Sequence, residues 1–277
     1  MSLENNPLKQ YFRRPAIYMK LPSGGKMYDA GTVTIPPTGE LPVYPMTAID
    51  EITSKTPDAL FNGSAMSDII KSCIPDIKNP WAINSIDLDA ILVAIKAASG
   101  GNDLTLTSEC PSCKEISDYS INLVSILGQL KAGDYDTELV INSDLTLKFR
   151  PLDYKEMNEA GMAQFESQRM FREIAAESND EIKQKKTQEA LKFITDLTMK
   201  LLSKTIMYIK TPSAFVEDKT FILDFLKNCE RDTYVTIRDY NAKLKSQNEV
   251  KPMHIKCVDC GHEYDQQFTL NTSDFFG

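Results

Sequence analysis

Four of the six cysteines in this 277-residue chain form two Cys-x-x-Cys pairs. Cys110 and Cys113 lie in the segment ECPSCKE, and Cys257 and Cys260 lie in KCVDCGHEY. A two-residue spacer lets both sulfur atoms of a pair turn toward one ion, and four thiolates complete a closed tetrahedral site. This residue type at this spacing predicts a structural Zn²⁺ site with Cys110, Cys113, Cys257 and Cys260 as its ligands.

The two pairs lie far apart, with residues 114–256 between them. Closing a loop of this length in an unfolded chain costs about 5 kcal/mol. Structural zinc contributes about 10–16 kcal/mol in small peptides near neutral pH. Because metal binding exceeds the cost of closure, we expect one zinc ribbon that is split across the chain by a large insertion.

Three alternatives to a structural zinc site remain open. They are two chance pairs, a thioredoxin-like redox pair, and the ligands of a catalytic zinc. A catalytic zinc keeps one coordination position open, whereas four thiolates close it. His262 is near enough to orient the site or to replace a ligand, and His254 is interpreted as an ordinary strand residue.

Alternating apolar and polar residues flank both cysteine pairs, which predicts strands. LTLTS precedes the first pair and SDYSINL follows it, while HIK precedes the second pair and HEYDQQFTL follows it. Gly261 directly follows the second pair, where a tight turn favours positive φ. TELVI and LTLKF, joined by residues 142–144, predict a further β-hairpin.

The rest of the chain indicates an α+β fold. Prolines and glycines in residues 1–47 exclude long helices, and we expect short strands at Ile17–Leu21 and Thr32–Ile35, lying along the chain's own domain or a partner's surface. The predicted organisation is an extended N-terminal arm at 1–47, a helical segment at 48–103, ribbon halves at 104–125 and 250–277, a β-hairpin at 126–152 and a mainly helical insertion at 153–249.

Two segments carry apolar residues at helical spacing. The first, SIDLDAILVAIKAA, predicts a helix with one buried face, formed by Leu88, Ile91, Leu92, Ile95 and Ala98. The second, ALKFITDLTMKLLSKTIMYI, predicts a single stripe formed by Leu191, Ile194, Leu197, Leu201, Ile206 and Ile209. The polar stretch AAESNDEIKQKK predicts a break between two helices, and Lys183–Lys186 predicts a solvated helix face.

Charge and composition exclude several classes of protein. The net charge of −8 and the pI of about 5.0 disfavour nucleic-acid binding, because phosphate recognition needs clustered lysine and arginine. The polar start lacks the apolar core of a signal peptide, and the longest apolar stretch, at 90–95, is shorter than a membrane span. We therefore expect a cytosol-like compartment, where disulfides are rare.

The sequence contains few residues or motifs that are typical of an active site. LPSGGK at residues 21–26 lacks both the spacing of a phosphate-binding loop and the serine or threonine after its lysine. Only two histidines are present, so acid–base catalysis by imidazole has few candidates. We expect that the protein is not an enzyme.

The order of several motifs resembles the baseplate hub protein family of T-even-like contractile-tailed bacteriophages. The resemblance covers residues 14–125 and 250–277, and the helical middle is generic. The segments that carry it, in order, are LPSGGKMYDAG, GELPVYPMTAIDEI, TPDALFNG, IIKSCIPDIKNPW, DLDAILVAIKAASGG, ECPSC, CVDCGHEYDQQF and SDFF.

This resemblance implies a structural part of the hub in the virion tail baseplate, assembled in the host bacterial cytoplasm. The implied partners are other phage hub and tail proteins, and a homo-oligomer that follows tail symmetry is a further possibility. Neither nucleic acid nor membrane is expected. The candidate contact elements are the arm at 1–47 and the tail Asp274–Phe276. Two alternatives are an assembly chaperone of the hub that the virion does not retain and a zinc-ribbon factor associated with nucleic acid.

Overall fold

A computed structural model of the chain describes residues 6–56, 63–248 and 250–266. The fold is α+β, as predicted, with helices and small separate antiparallel sheets. The α-helices in this part of the chain are α1 Ala48–Ser54, α2 Ser64–Cys73, α3 Ser85–Gly100, α4 Leu123–Gln129, α5 Tyr154–Ala176, α6 Asp180–Thr205, α7 Lys219–Asn228 and α8 Arg231–Ser246. The strands are β1 Ile17–Met19, β2 Leu41–Val43, β3 Asp103–Glu109, β4 Ile116–Asn122, β5 Leu139–Asn142, β6 Leu145–Phe149, β7 Ile206–Lys210, β8 Phe215–Val216, β9 Met253–Lys256 and β10 Glu263–Gln266. Short 3₁₀ helices lie at Pro7–Tyr11 and Pro80–Ala82.

The chain divides into two compact units. The first comprises Met1–Pro80, Asp87–Leu130 and Val250–Gly277, and the second comprises Trp81–Ile86 and Lys131–Glu249. Both halves of the predicted ribbon therefore belong to the first unit, although the second unit is inserted between them in the sequence.

Much of the predicted arm packs on its own unit. Strands β1 and β2 pair antiparallel, and Met19, Leu41 and Val43 are buried. The expected strand at Thr32–Ile35 is wrong, because the structure has only an isolated bridge from Val33 to Ile77 there. Two prolines follow directly at 36 and 37, and a proline lacks the N–H that a longer ladder needs.

The buried carboxylate of Asp87 fixes the loop that follows β1. Its Oδ1 accepts a hydrogen bond from the Ser23 amide at 2.8 Å, and its Oδ2 accepts bonds from the Ser23 hydroxyl and, at 2.6 Å, from the Tyr28 hydroxyl. Gly24 and Gly25 have positive φ, a conformation that glycine adopts without a steric penalty. The segment with the lysine and glycines is therefore a structural turn held by a carboxylate, an arrangement that would repel a phosphate group.

Helix α3 is buried more completely than its sequence pattern predicted. Leu88, Ile91, Leu92 and Ile95 are buried as expected, but Val93 and Ala94, on other sides of the helix, are buried as well. A helix that is apolar on nearly all sides is typical of a protein interior. The regular spacing identified one buried face, and tertiary packing covers the others.

Ionisation of Asp89 on α3 makes the free energy of unfolding depend on pH. Burial raises the pKa of its carboxyl group to about 6, so the folded chain binds this proton more tightly than the unfolded chain. Stability is therefore lost as pH rises from about 4 to about 6, where this half-buried group ionises. Asp89→Asn, which never ionises, should equal the wild type near pH 4 and gain up to about 3 kcal/mol at pH 8.

Thermal unfolding of the two proteins across this pH range measures the gain from the difference in Tm. Asp68→Asn, which removes an exposed acid of α2, is the matched control for the loss of a surface carboxylate. A constant difference for Asp89→Asn would contradict the assignment.

The second unit is built on a four-stranded antiparallel sheet with the order β5-β6-β7-β8. The predicted hairpin of TELVI and LTLKF is confirmed as β5 and β6, which span residues 139–149. Apolar side chains from the sheet and from the surrounding helices form one core. Its buried members include Tyr135, Leu147, Phe149, Leu202, Ile206, Ile209, Ile222, Leu226, Ile237 and Leu244.

The predicted helical stripe through Ile209 is wrong at its end. Helix α6 stops at Thr205, and the chain continues directly as β7, which pairs with β6. Ile206 and Ile209 are buried in the strand, and Leu191 is 55% exposed on the helix. The segment IMYIK is rich in β-branched and aromatic residues, and its pairing with β6 overrides a spacing that also fits a helix.

Helices α5 and α6 form an antiparallel pair with a short connection. The predicted break is confirmed but shorter than expected, because α5 ends at Ala176 and α6 begins at Asp180. Asn179 caps α6 by accepting hydrogen bonds from the amides of Glu181 and Ile182. Lys183–Lys186 lies on this helix, with Lys186 paired to Glu177 at 2.9 Å, as expected for a solvated face.

In the described ranges of the chain, no helix combines the length and the apolar character needed to cross a bilayer.

Candidate metal centre

Two β-hairpins carry the four cysteines. The predicted strands around the first pair are confirmed as β3 and β4, paired from Asp103–Asn122 to Glu109–Ile116. Those around the second pair are confirmed as β9 and β10, and residues 267–270 of the predicted second strand lie outside the described residues. Each Cys-x-x-Cys segment forms the turn between its two strands, so each pair is presented at the tip of a hairpin.

The two turns share one backbone geometry. The amide of Cys110 donates to the carbonyl of Glu115, and the amide of Lys114 donates to the carbonyl of Cys110. In the second turn the amide of Cys257 donates to the carbonyl of His262, and that of Gly261 to Cys257. The residue four positions after the first cysteine has positive φ in both turns, +65° at Lys114 and +70° at Gly261.

The tips of the hairpins bring all four sulfur atoms together. The Sγ atoms of Cys110, Cys113, Cys257 and Cys260 lie within 4.8 Å of one another. Across the two hairpins, Cys110 and Cys260 are 3.7 Å apart, and Cys113 and Cys257 are 3.6 Å apart. Four sulfur atoms placed tetrahedrally about 2.3 Å from a Zn²⁺ ion would be about 3.8 Å apart, whereas a disulfide needs about 2.05 Å. The cluster can hold a metal ion, and its spacing fits a tetrahedral site.

Backbone amides favour ionisation at one of these sulfurs. The amides of Cys113 and Ser112 bond to the Cys110 sulfur and lower its pKa to about 6. At Cys113 the Glu115 amide lowers the pKa, but the nearby sulfur atoms of Cys260, Cys110 and Cys257 outweigh it and raise the pKa to about 12. Four thiols at this spacing cannot all ionise unaided, because like charges repel. A cation at the centre would remove that penalty and let every sulfur act as a thiolate ligand.

Burial follows the same pattern in both turns. The first cysteine of each pair, Cys110 or Cys257, is buried, whereas the second, Cys113 or Cys260, is exposed. The cluster therefore lies at the surface end of the two hairpins. A soluble chelator would be able to reach it without unfolding the module.

Polar side chains below the cluster also join the two hairpins. The buried Ser108 of β3 donates a hydrogen bond to the side chain of Gln266 at 2.7 Å, and its hydroxyl lies 3.0 Å from the hydroxyl of Tyr264. No motif in the sequence singled out these residues. Their inward position follows from the strand alternation that also buries Cys110 and Ile255, which is the one signal the sequence offered.

Neither histidine belongs to the sulfur cluster. The ring of His262 stacks on Tyr264 with centroids 6.2 Å apart. His254 lies on β9, as interpreted from the sequence, and its Nδ1 is 3.1 Å from Asp265. The hydrogen bonds with Asp265 and Glu263 raise the pKa of its imidazole.

The first turn carries a strained residue that the second avoids. Lys114 has positive φ, a conformation in which Cβ crowds the backbone, and its side chain makes only an exposed 3.4 Å ion pair with Glu109. Lys114→Gly should therefore raise the free energy of unfolding of the two-hairpin module by about 0.5–1 kcal/mol. The change is measured as a difference in the Tm of the metal-loaded chain, with thermal unfolding followed by near-UV circular dichroism.

Gly261→Ala is the matched control at the equivalent position. Open space surrounds the added methyl group, whose nearest neighbour is Lys256 Cε at 4.0 Å, so only the backbone conformation is penalised. We expect a loss of about 1 kcal/mol. A Lys114→Gly protein that unfolds at a lower temperature than the wild type would refute the strain.

Comparison with known proteins places the chain in a family. A search of curated proteins and a search of solved structures each found no match. The family model described as T4 bacteriophage base plate protein matches residues 15–277, which include both hairpins and the insertion between them. This chain therefore belongs to the T4 bacteriophage base plate protein family, and it is a protein of the phage tail baseplate.

Proposed function

We propose that the chain is a structural component of the baseplate hub, and that Cys110, Cys113, Cys257 and Cys260 bind a structural Zn²⁺ ion. The observation that supports the metal is the approach of four sulfur atoms to within 4.8 Å. Thiolates at this spacing favour zinc among the divalent ions, since soft sulfur ligands in a tetrahedral arrangement suit it. The family match and the order of motifs along the chain support the place in the hub.

In this proposal zinc links two parts of the chain that are distant in the sequence. Residues 103–122 and 253–266 form two separate two-stranded sheets, and an isolated hairpin is only marginally stable in water. A shared metal ion joins them into one rigid block. Such a block would present a defined surface of the first unit to neighbouring proteins.

The proposed partners are other hub and tail proteins of the phage, in a virion that is assembled in the host bacterial cytoplasm. Contacts are proposed for the N-terminal segment and for the tail Asp274–Phe276, although this tail lies outside the described residues. No catalytic role is proposed. The second hairpin carries Asp259, Glu263 and Asp265 beside its cysteines, and this acidity supports a protein partner over nucleic acid.

Quantitative mass spectrometry of purified phage particles tests the proposal. A structural component should be present in a fixed ratio to known tail proteins, and that ratio gives its copy number. A chain abundant in infected-cell extracts but missing from particles would instead be an assembly chaperone of the hub. Metal analysis of the isolated chain is a separate readout, with one zinc per chain expected.

A further inference from the structure

The 3₁₀ helix at Pro7–Tyr11 has no buried side chain of its own. The residue that anchors it, Arg13, follows it in the sequence. Leu8 is 60% exposed, Tyr11 is 77% exposed and Phe12 is 57% exposed. Three large apolar side chains within five residues form a hydrophobic tip, which is an unfavourable surface to leave in water. Such tips are common where a short segment docks on another protein.

Arg13 fixes the base of this tip beside helix α1. Its guanidinium donates to the Pro45 carbonyl at 2.5 Å and to the carbonyl and hydroxyl of Ser72, each at 2.8 Å. It also lies 3.4 Å from the buried carboxylate of Asp50 on α1. Arg13 directly follows the tip, and its guanidinium contacts the first turn of α1.

Helix α1 presents a second apolar surface next to this attachment. Ile49 is 75% exposed and Ile52 is 69% exposed, and residues three apart lie on the same helix face. Asp50 points inward and completes a capping box with Thr47. Among the described residues, the buried side chains that α1 turns toward its own unit are Asp50 and Ser54, not these isoleucines.

Charges beside the two surfaces are complementary. Arg14 follows the tip, is exposed, and forms no ion pair with any residue in the described ranges. Glu51 lies between the two isoleucines in the sequence and makes only an exposed 3.4 Å ion pair with Lys55. Residues 1–20 hold four cations, Lys9, Arg13, Arg14 and Lys20, against one carboxylate, whereas the whole chain has a net charge of −8.

We propose that these two surfaces bind each other between two copies of the chain, forming a symmetric dimer. The tip of each copy, Leu8, Tyr11 and Phe12, packs on Ile49 and Ile52 of the other, and Arg14 pairs with Glu51 of the other copy. Because donor and acceptor surfaces lie together on one unit, a two-fold axis satisfies both contacts at once. The inference deepens the structural role proposed above by naming a second copy as one partner.

The exposed apolar area supplies a large part of what such an association needs. Aromatic side chains bury about 150–250 Å² each, and these five side chains are 57–77% exposed, against the ~800 Å² per partner of a standard interface. The centre would be aromatic and aliphatic and the rim charged, which is the usual anatomy of an interface.

Sedimentation equilibrium of the full chain over a range of concentrations tests the dimer. We expect a reversible dimer whose dissociation constant rises at least tenfold in Tyr11→Ser/Phe12→Ser and in Ile49→Ser/Ile52→Ser. The matched control is Val140→Ser/Phe215→Ser on the sheet of the second unit, where the side chains are 65% and 58% exposed. Circular dichroism verifies that each variant keeps the fold and Tm of the wild type.

A charge exchange tests the reciprocal contact independently of the apolar anchors. Arg14→Glu alone and Glu51→Arg alone each place like charges at both contacts and should weaken self-association several-fold at low salt. A mixture of the two variants restores both pairs in the heterodimer and should associate as strongly as the wild type.

Three outcomes would overturn the dimer. They are a wild-type chain that stays monomeric at all concentrations, a control variant that weakens association as much as the tip variant, or a mixture of charge variants that fails to associate. A monomeric chain whose tip binds a different baseplate protein would assign the surface to that protein. Each of these results leaves the mass spectrometry of particles unaffected, so failure of the dimer and failure of the proposed hub role are distinguishable.

Discussion

Cys257→Ser is expected to abolish stoichiometric zinc binding and to unfold both hairpins, while the second unit keeps its fold. The substitution removes one of the four proposed ligands and leaves three thiols within a few ångströms of one another. Zinc binding supplies about 10–16 kcal/mol in small peptides, far more than two short hairpins gain from burying a few side chains such as Ile255. The second unit has a separate apolar core and does not depend on the metal.

Metal analysis gives the first readout, with one zinc per wild-type chain and much less in the variant. Hydrogen exchange gives the second, because amides of β3, β4, β9 and β10 should lose protection while those of β6 and β7 retain it. Cys229→Ser is the matched control, since this half-buried thiol lies outside the cluster. A variant that retains full zinc and full protection would disprove the metal site.

A chelator should reproduce the effect without any substitution. Cys113 and Cys260 are exposed, so a chelator can reach a bound ion directly. Protection of the same four strands should fall on chelation and return when zinc is added. Calcium or magnesium should not restore it, because these ions prefer oxygen ligands.

Asp87→Ala is expected to destabilise the first unit by about 3–5 kcal/mol. The carboxylate is fully buried and accepts hydrogen bonds from the amide and hydroxyl of Ser23 and from Tyr28. Removing it leaves the amide and hydroxyl of the buried Ser23, and the hydroxyl of the half-buried Tyr28, without this acceptor. The loop of residues 21–28, which includes two glycines with positive φ, has no other acceptor of comparable strength among the hydrogen bonds described above.

Denaturant unfolding measures the loss, and hydrogen exchange at the Ser23 amide localises it. Tyr28→Phe is the matched control, because it deletes one donor while the carboxylate and both Ser23 bonds remain. We expect it to cost about 1 kcal/mol. Equal effects of the two substitutions would show that Asp87 is not the centre of this network.

Several features follow from local sequence alone. The strands around each cysteine pair, the hairpin at residues 139–149 and the helix beginning at Asp180 all arise from patterns that span only a few residues. Alternation, turn residues and capping groups act through near neighbours, so their signal is present in the printed sequence. The two-residue spacing of the cysteines belongs to this class, since it sets the geometry of a single turn.

Other features were decided by residues distant in the sequence. The meeting of Cys110 with Cys260 depends on how the intervening chain folds, and the spacing gave only the expectation that the two turns meet. Ile206–Lys210 fits a helical stripe as well as a strand, and pairing with β6 selects the strand. Helix α3 is buried on sides that its own periodicity did not identify.

The conformation at Lys114 shows most clearly the difference between what local sequence determines and what tertiary structure decides. Gly261 suggests positive φ in the second turn, but a lysine gives no such signal in the first. Only the structure shows that both turns share one backbone path. The sequence by itself determined the local elements and the residue types of the cluster. Tertiary structure decided which elements meet, because that choice depends on packing between segments that the sequence separates.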